Sequence, residues 1–506
     1  MTMTIPTSRL RNIAADSLCS GTLFIVASIL SGRISRFPFD DEIYSLRIVT
    51  ANRTIAETIG FFLHGGDVHP PLSYLLFLGL HAAGAGETAM RAASCLFMAA
   101  ALMLIHGWTL TVLERRHQDP VQPVVRLAAI LLFGLNALAI SQGDAIRWYP
   151  LFSLLMALFL VFYLTRPSPA CAIPFGLAVS TNFLALPLAA CFCLWRYLIE
   201  RRLEWKFDLR FWALFGFFAL PGLITAATLA LPGFHTPHAT QFDYGPVQAL
   251  LNNALGFFGG NSLGITEAWV TVPIILISGA AMWTVADRAT AANPLNLLLL
   301  LCIPPVLMSL GGFSKPRSFL YLAPILSSLL TVFVADLAAR AKLSQAIALT
   351  TLALCSLVGA VASLRFNERP YKRNVVLPLA EMLDLVRLNS KSPALVLTNE
   401  AVSAWLLHRT LTGPGDCIIG PGRPPACSND PERYSTVVSV YVPKANQRKP
   451  TRPPWPTIED YSPTISVHLG RDLDAALKSR LTGHPIPEHL MELKVYRMTP
   501  GSEPGH

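Results

Sequence analysis

Charged residues are scarce in this sequence. Only 14% of its 506 residues are Asp, Glu, Lys or Arg, and 52% are hydrophobic, whereas an average soluble domain has about 25% charged residues. Apolar runs long enough to cross a hydrocarbon core about 30 Å thick recur from Ser17 to Ser363. The low charge excludes an ordinary soluble domain for this region and predicts a polytopic α-helical membrane protein.

A concentrated basic stripe is also missing. The net charge is +9, from 40 Lys and Arg against 31 Asp and Glu, but the basic residues are scattered between apolar runs. A nucleic-acid-binding surface would instead cluster them, with aromatic residues among them. The positive-inside rule and anionic lipids explain them better, so we expect membrane lipids and no nucleic acid as partners.

Several functional motifs are absent. The C-terminal region has no Gly-rich phosphate loop and no nucleophile elbow, and no internal repeat of the kind found in inverted-repeat transporters is visible. His235 and His238 have no clear third ligand, so no metal site is expected there. Cys417 and Cys427 share a polar loop and are a candidate disulfide if that region lies in an oxidising compartment.

The positions of the basic loops predict the path through the membrane. The candidate spans are 17–33, 88–112, 124–141, 147–165, 211–231, 268–286, 295–312, 319–338 and 343–363. The basic loops at 114–117, 166, 200–202, 288 and 340–342 should all face the cytoplasm. They do so only if 70–86 is a juxtamembrane or re-entrant helix and 171–198 is a pair of short helices turning at 180–182. About 11 crossings result, with the N-terminus in the cytoplasm and the C-terminus outside.

The pattern changes after Ser363. Short alternating segments at 393–398, 436–442, 464–469 and 493–498 read as strands, and 376–390, 400–411 and 471–482 read as helices. We therefore predict a transmembrane domain over 1–363 and a small extramembrane α/β domain over 364–506. With no catalytic motif of its own, the second domain is assigned to support or acceptor recognition.

Acidic and basic residues converge on the predicted outer side. Asp40-Asp41-Glu42 follow the first apolar run, and Asp67 and His69 precede a Pro-Pro pair in "GGDVHPPLSYLL" (65–76). Asp144, Lys315 and Arg317 fall on the same side in this topology. Ionisable residues at such positions are functional candidates by default, because charge near hydrocarbon is costly.

These motifs, in this order, resemble the integral-membrane GT-C glycosyltransferases. The nearest branch is the bacterial one akin to the protein O-mannosyltransferases and the lipid A aminoarabinose transferase. The resemblance covers about residues 15–365 and includes the Asp-Glu pair, Tyr44-Ser45 and the Asp-x-His-Pro-Pro motif. Further segments agree with it: "ETAMRAASCLF" (87–97), "DAIRWYPLFSLLMAL" (144–158), "STNFLALPL" (180–188) and "KPRSFLYLAPIL" (315–326).

The resemblance implies a role for each acidic residue. Asp41 falls on the family's general base, which deprotonates the acceptor hydroxyl, and Glu42 shapes the site. Asp40 is an additional carboxylate beyond the family pattern, which leaves open whether it shares the role of base. Asp67, Asp144 and Tyr44 are further candidates for the site.

The resemblance also implies the donor, a polyprenyl-phosphate sugar, with inversion at the anomeric carbon. A departing lipid phosphate needs preorganised cations, for which His69, Arg147, Lys315 and Arg317 are the candidates. The aminoarabinose branch has Lys where this sequence has His69, so a phosphate contact there would depend on pH. Neither a cofactor nor a divalent cation is expected. The acceptor is a glycolipid, lipopolysaccharide, polysaccharide or protein hydroxyl.

Two other classes fit the composition. A polytopic lipid or sugar transporter or flippase would also have many spans and buried charges, although matched halves would be expected of it. A non-catalytic scaffold for envelope assembly would use mainly the C-terminal domain. The glycosyltransferase reading places the protein in a bacterial inner membrane, with its C-terminal domain in the periplasm.

Overall fold

A computed structural model describes most of the membrane region and parts of the C-terminal region. The described residues are 6–32, 34, 40–50, 54–64, 67, 69–117, 120–230, 246–259, 295–313, 316–338, 379–390, 392–398, 403, 407, 416–419, 433–441, 463–471 and 489–497. The chain forms two compact units. The first contains Met1–Arg36, Ser45–Leu263 and Glu267–Glu368, and the second contains Phe37–Tyr44, Gly264–Thr266 and Arg369–His506.

Helices make up the described part of the first unit. They are α1 (Thr7–Leu30), α2 (Asp40–Val49, which begins in the second unit), α3 (Ile55–Leu63), α4 (Leu72–Ala82), α5 (Glu87–His117), α6 (Pro123–Gly134), α7 (Ala137–Gln142), α8 (Trp148–Thr165), α9 (Ala172–Val179), α10 (Ala185–Cys193), α11 (Trp205–Ala230), α12 (Pro246–Gly259), α13 (Leu295–Leu300), α14 (Ile303–Leu310) and α15 (Leu322–Ala338). A π-helix, Leu194–Ile199, extends α10.

Among the described residues, five helical segments are long and apolar enough to cross a membrane: Thr7–Leu30, Glu87–Arg115, Pro123–Gln142, Trp148–Thr165 and Trp205–Ala230. The predicted class of polytopic helical membrane protein is therefore confirmed. The predicted spans 268–286 and 343–363 lie outside the described residues, so the number of crossings stays a prediction.

Segments 70–86 and 171–198 form the short helices that the positions of the basic loops predict. Helix α4 has only 11 residues, too few to cross a bilayer, which takes about 17 or more. Segment 171–198 is divided into α9 and α10, which meet at a turn beginning at Ser180.

Asn136 separates α6 from α7, and its Oδ1 caps α7 by accepting from the Ala139 N–H at 3.0 Å.

Helices α1, α6, α8 and α15 pack on or beside the long helix α5. Hydroxyl contacts join them inside the bundle: Thr109 of α5 donates to Ser328 of α15 at 2.8 Å, and Asn136 donates to Ser327 at 3.2 Å. Lipid tails are as apolar as the helix surfaces, so the hydrophobic effect does not drive helices together in a membrane, and interhelical hydrogen bonds such as these stabilise their packing instead.

Helices α9 and α11 pack closely through glycine. A Cβ on Gly222 of α11 would lie 2.5 Å from the carbonyl oxygen of Val179. The hydroxyl of Ser180 inserts into α11 at this point, donating to the Phe218 carbonyl at 2.8 Å and accepting from the Gly222 N–H at 3.3 Å. An inserted side chain and the internal Pro221 are recognised causes of helix bending. The Ser180 turn is thereby anchored to α11.

The described part of the second unit is a five-stranded sheet with helix α16 (Leu379–Asn389). Its strands are β1 (Ala394–Thr398), β2 (Cys417–Ile419), β3 (Thr436–Tyr441), β4 (Ile465–Arg471) and β5 (His489–Arg497). Their order is β2-β1-β3-β5-β4. Strand β1 pairs in parallel with β2 and β3, whereas β5 pairs antiparallel with β3 and β4.

The sequence predicted four of these strands and helix α16, but it did not predict β2, which has only three residues. The buried core of this unit includes Ile43, Met382, Val438 and Leu493. Cys417 of β2 is disulfide-bonded, and Cys427 lies outside the described residues. The predicted helices 400–411 and 471–482 also lie largely outside them.

The close approach of α9 and α11 gives a test of the fold. Gly222→Ala should lower the free energy of unfolding by about 1–3 kcal/mol, because its methyl group would meet a backbone carbonyl that cannot rotate away. Gly216→Ala on the same helix is the matched control, because no heavy atom lies within 4 Å of its Cβ position and alanine favours helix by about 1 kcal/mol. Thermal unfolding in detergent checks both variants, and equal melting temperatures would contradict the packing.

Candidate functional site

The acidic triplet opens helix α2. Asp40 and Asp41 are its first two residues, and their side chains fall outside what the structure describes. Glu42 is completely buried. Tyr44 is 38% exposed, and it belongs with Glu42 to the second unit. The roles predicted for the triplet therefore stay predictions.

Five side chains of the first unit form a connected polar group, here called the Asp67–Arg147 cluster: Ser45, Asp67, His69, Tyr74 and Arg147. The Tyr74 hydroxyl donates to Asp67 Oδ2 and accepts from Arg147 Nη1 at 2.8 Å. Arg147 Nη1 also donates to Ser45 Oγ at 3.0 Å, and His69 Nδ1 lies 3.2 Å from Asp67 Oδ1. Three predicted site residues, Asp67, His69 and Arg147, are thus brought together.

The cluster is assembled where irregular segments meet helix starts. The Pro-Pro pair ends the segment that carries Asp67 and His69, and α4 begins directly after it at Leu72. The Leu72 N–H donates to the Ser180 carbonyl at 3.1 Å, which satisfies one of the amides left unpaired at a helix start. Arg147 is the N-terminal flanking residue of α8, with an extended backbone.

Neighbouring charges control the ionisation of Asp67. Burial disfavours its charged form, but the hydrogen bond and charge of His69, with Arg147 and Tyr74, outweigh burial and lower the pKa from 3.8 to about 2. Asp67 is therefore an anion at any physiological pH. Its negative charge helps to compensate the positive charge of Arg147, which is only 6% exposed.

His69 is the most exposed member of the cluster. Its side chain is 22% exposed, whereas the other four residues are buried. The His69 ring lies against Trp148, with ring centroids 5.8 Å apart. A ligand reaching this cluster from solvent or from the membrane surface would therefore meet the imidazole first.

Arg317 lies on a separate segment that packs near the start of α8. It is 6% exposed and belongs to a 3₁₀ turn, Pro316–Phe319, which contacts α7, α8 and α12. Aromatic contacts link Trp148 to Phe152 and Phe152 to Tyr321, each with centroids 5.7 Å apart. Lys315 lies outside the described residues.

Helix α12 holds this turn closely. A Cβ on Gly256 would lie 2.2 Å from Pro316 Cγ. Asn253 of α12 donates to Ser309 Oγ at 2.7 Å and to the Phe313 carbonyl at 2.8 Å. Helix α12 thus contacts both Pro316 of the turn and the described segment that ends at Phe313.

Two further expectations concern Asp144 and a metal site. Asp144 is 1% exposed and lies in the segment between α7 and α8. Within the described part of the chain, no group of three or more His, Cys, Asp or Glu residues could hold a metal ion. His235 and His238 lie outside that part, so metal dependence stays untested.

Sequence reasoning missed Ser45 and Tyr74 as site residues. Both stand inside the quoted motifs, but Tyr44 was selected instead of its neighbour. Successive helical residues point about 100° apart, so Tyr44 and Ser45 point in different directions, and the role predicted for Tyr44 stays a prediction. The final Tyr of "DVHPPLSY" was a usable signal, because a buried tyrosine hydroxyl usually has a partner.

The cluster is suited to binding an anion. It presents a guanidinium and an imidazole in a largely buried setting, and such donors bind phosphate oxygens through charge-assisted hydrogen bonds. Its single carboxylate is engaged by His69 and Tyr74. The described residues of the cluster can therefore bind an anionic group.

Solved structures similar to this chain include two crystal structures of ArnT from Cupriavidus metallidurans. The one bound to undecaprenyl phosphate is 14% identical, and the one in the apo state is 13% identical. Each match covers 94% of this chain and 97% of the ArnT chain, with a TM-score of 0.49. No protein-family model and no curated protein matches the sequence.

The low pKa of Asp67 predicts a pH-dependent contribution to stability. Because the folded pKa of about 2 lies below 3.8, this contribution is complete above about pH 4 and is lost as the pH falls through the folded pKa. Asp67→Asn should lower the free energy of unfolding by about 2 kcal/mol at pH 7. The gap between the native protein and the variant should narrow at pH 3.

Thermal unfolding in detergent at the two pH values measures that gap. Asp384→Asn, which replaces an exposed carboxylate on α16, is the control and should leave the melting temperature nearly unchanged. A gap for Asp67→Asn that stays the same at pH 3 would contradict the assignment.

Proposed function

We propose that this protein is a membrane glycosyltransferase of the GT-C type. It transfers a monosaccharide from a polyprenyl-phosphate carrier to an acceptor hydroxyl at the outer face of a bacterial inner membrane. The observation that carries the proposal is the buried Arg147 guanidinium, joined through Tyr74 and Asp67 to the partly exposed His69. The motif resemblance also supports it, because Asp67 and His69 belong to the Asp-x-His-Pro-Pro pattern.

The reaction is a single displacement at the anomeric carbon. The acceptor oxygen forms a bond to that carbon as the bond to the phosphate oxygen breaks, which inverts the configuration. The hydroxyl proton passes to a carboxylate, and the electron pair leaves with the phosphate as a polyprenyl monophosphate. A general base of this kind contributes about 10²- to 10⁴-fold to the rate.

Residue roles follow from charge and from the resemblance. Asp41 is assigned as the base, with Glu42 and Asp40 shaping its surroundings. Arg147 and His69 bind the donor phosphate, and preorganised cations stabilise the charge that develops as it leaves.

The remaining assignments are supporting ones. Arg317 and Lys315 are assigned to the same phosphate, and Asp144 and Tyr44 to the surroundings of the site. The C-terminal sheet domain is assigned to support or acceptor recognition outside the membrane, with the N-terminus in the cytoplasm. A disulfide-bonded Cys417 is in keeping with an oxidising compartment for this domain.

The experiment that tests the proposal is sugar transfer from a panel of radiolabelled polyprenyl-phosphate monosaccharides. Membranes containing the intact protein should consume one donor and label an acceptor. Asp41→Asn should reduce transfer about 10²-fold or more, because the base is lost. The neighbouring Asp40→Asn is the matched comparison and should retain most of the activity.

Three outcomes would count against these assignments. Full activity in Asp41→Asn would remove the assigned base. Loss in Asp40→Asn alone would transfer the role to that residue. Absence of transfer from every donor, with native membranes supplying acceptors, would contradict the proposed reaction and make lipid translocation the next assay.

A further inference from the structure

The N-terminal end of helix α11 carries exposed basic residues. Arg201 and Arg202 precede the helix, and Lys206 and Arg210 lie in its first two turns. Arg202 is paired with Glu204, with Nε 2.6 Å from Oε1. Within the described part of the chain, Lys206 and Arg210 have no ion-pair partner. Two positive charges at this end of the helix are therefore available to an external anion.

A buried network holds the backbone that carries these cations. Arg196, which is 1% exposed, donates to Asp208 Oδ1 at 2.7 Å and to the Tyr163 hydroxyl at 2.5 Å. The other carboxylate oxygen of Asp208 accepts from the Glu204 N–H at 2.8 Å. The start of α11 is thereby tied to α8 and to the π-helix, so its exposed side chains project from a fixed backbone.

Large apolar side chains lie beside the cations. Trp205 is 68% exposed and Leu209 is 61% exposed. Because tryptophan is enriched at the depth of the lipid headgroups, we expect the first turn of α11 to lie at the membrane surface. Farther along the helix, Phe217 and Leu220 are also exposed, and only 22% of the apolar part of α11 is buried against the rest of the protein. Lipid is the natural neighbour of this surface.

The cations and the apolar residues share one face of α11. With about 100° between successive helical residues, Lys206, Arg210, Phe217 and Leu220 fall within about 80° of one another. From Arg210 to Leu220 the helix rises about 15 Å, which is half of a hydrocarbon core about 30 Å thick. The face therefore has the dimensions of one lipid in one leaflet, with a headgroup at the cations and an acyl chain beside Phe217 and Leu220.

We propose that this face of α11 binds an anionic phospholipid. The lipid phosphate pairs with Lys206 and Arg210, and an acyl chain lies along Phe217 and Leu220. Charge complementarity selects an anionic lipid, because a zwitterionic headgroup would bring its own ammonium close to two cations. The adjacent basic loop 200–202 is predicted to face the cytoplasm, where the leaflet surface is negative. The site uses none of the residues of the Asp67–Arg147 cluster and does not depend on the proposed sugar transfer.

The test uses the full-length protein in detergent micelles, with phosphatidylglycerol as the probe and native mass spectrometry to measure its binding. The intact protein should bind phosphatidylglycerol more tightly than phosphatidylcholine. Lys206→Gln and Arg210→Gln should each weaken probe binding by about 5-fold, and the double variant by about 25-fold, because each cation near a lipid surface contributes independently. Unchanged probe binding in the double variant, or equal binding of the two lipids by the intact protein, would overturn the proposal.

Arg202→Gln is the matched control. It removes the same charge from the same exposed segment, but this guanidinium is already paired with Glu204. It should weaken probe binding by less than about 2-fold, since the paired charge is largely compensated. A loss in Arg202→Gln equal to that in Lys206→Gln would mean that the lipid responds only to net charge, which would overturn a defined site. The melting temperature without added lipid should be the same for all these exposed variants.

Two competitors test which ligand the cations recognise. Glycerol phosphate has the phosphate without the acyl chains, so it should leave phosphatidylglycerol bound at equal concentration. Displacement by glycerol phosphate would show that free phosphate is sufficient and would overturn the lipid assignment. Polyprenyl monophosphate should likewise fail to displace the probe. Displacement by it at equal concentration would assign the face to a carrier lipid and overturn the phospholipid assignment.

Discussion

A guanidinium buried inside a membrane protein loses its hydration, and the loss destabilises the fold unless acceptors and negative charge replace the water. Arg147 meets this requirement with groups from separate elements: Ser45 from α2, Tyr74 from α4, and the charge of Asp67 from the segment before α4. Because these groups must converge on one charge, the start of α8 fixes the positions of α2 and α4. The candidate site is therefore also a packing determinant of the first unit.

The position of Tyr74 also depends on the close contact between α9 and α11 at Gly222. Helix α4 can present Tyr74 only if its first turn is held, and the Leu72 N–H is held by the carbonyl of Ser180. The hydroxyl of Ser180 is in turn inserted into the backbone ladder of α11 beside Gly222. A short turn without any charged group thus connects the site to a long helix through hydrogen bonds alone.

The sequence was informative where one local rule decides the structure. The positions of the basic loops predicted that 70–86 is a juxtamembrane or re-entrant helix and that 171–198 is a pair of short helices turning at 180–182. The structure has a helix of only 11 residues in the first segment and two short helices in the second. The alternation of apolar and polar residues predicted the longer strands, but a three-residue strand such as β2 is too short for such an alternation to be recognised. Asp67, His69 and Arg147 were identified because charge near hydrocarbon is conspicuous.

Ser45 and Tyr74 were missed as site residues because neutral hydroxyl residues are common in any helix. Their importance comes from tertiary contacts 102 and 73 residues away along the chain. No local pattern carries that information. The motif contains both Tyr44 and Ser45, and only the tertiary contact with Arg147 shows that Ser45 joins the cluster.

For the proposed reaction, the charges of the Asp67–Arg147 cluster favour the product side. The donor carries a phosphodiester with one negative charge, and the departing monophosphate approaches two. With His69 protonated, the cluster has two cations and one anion, and Asp67 stays ionised because its pKa is about 2. In the proposed reaction, a net positive charge would attract the leaving phosphate more strongly than the bound donor, and only differential binding of this kind lowers the barrier.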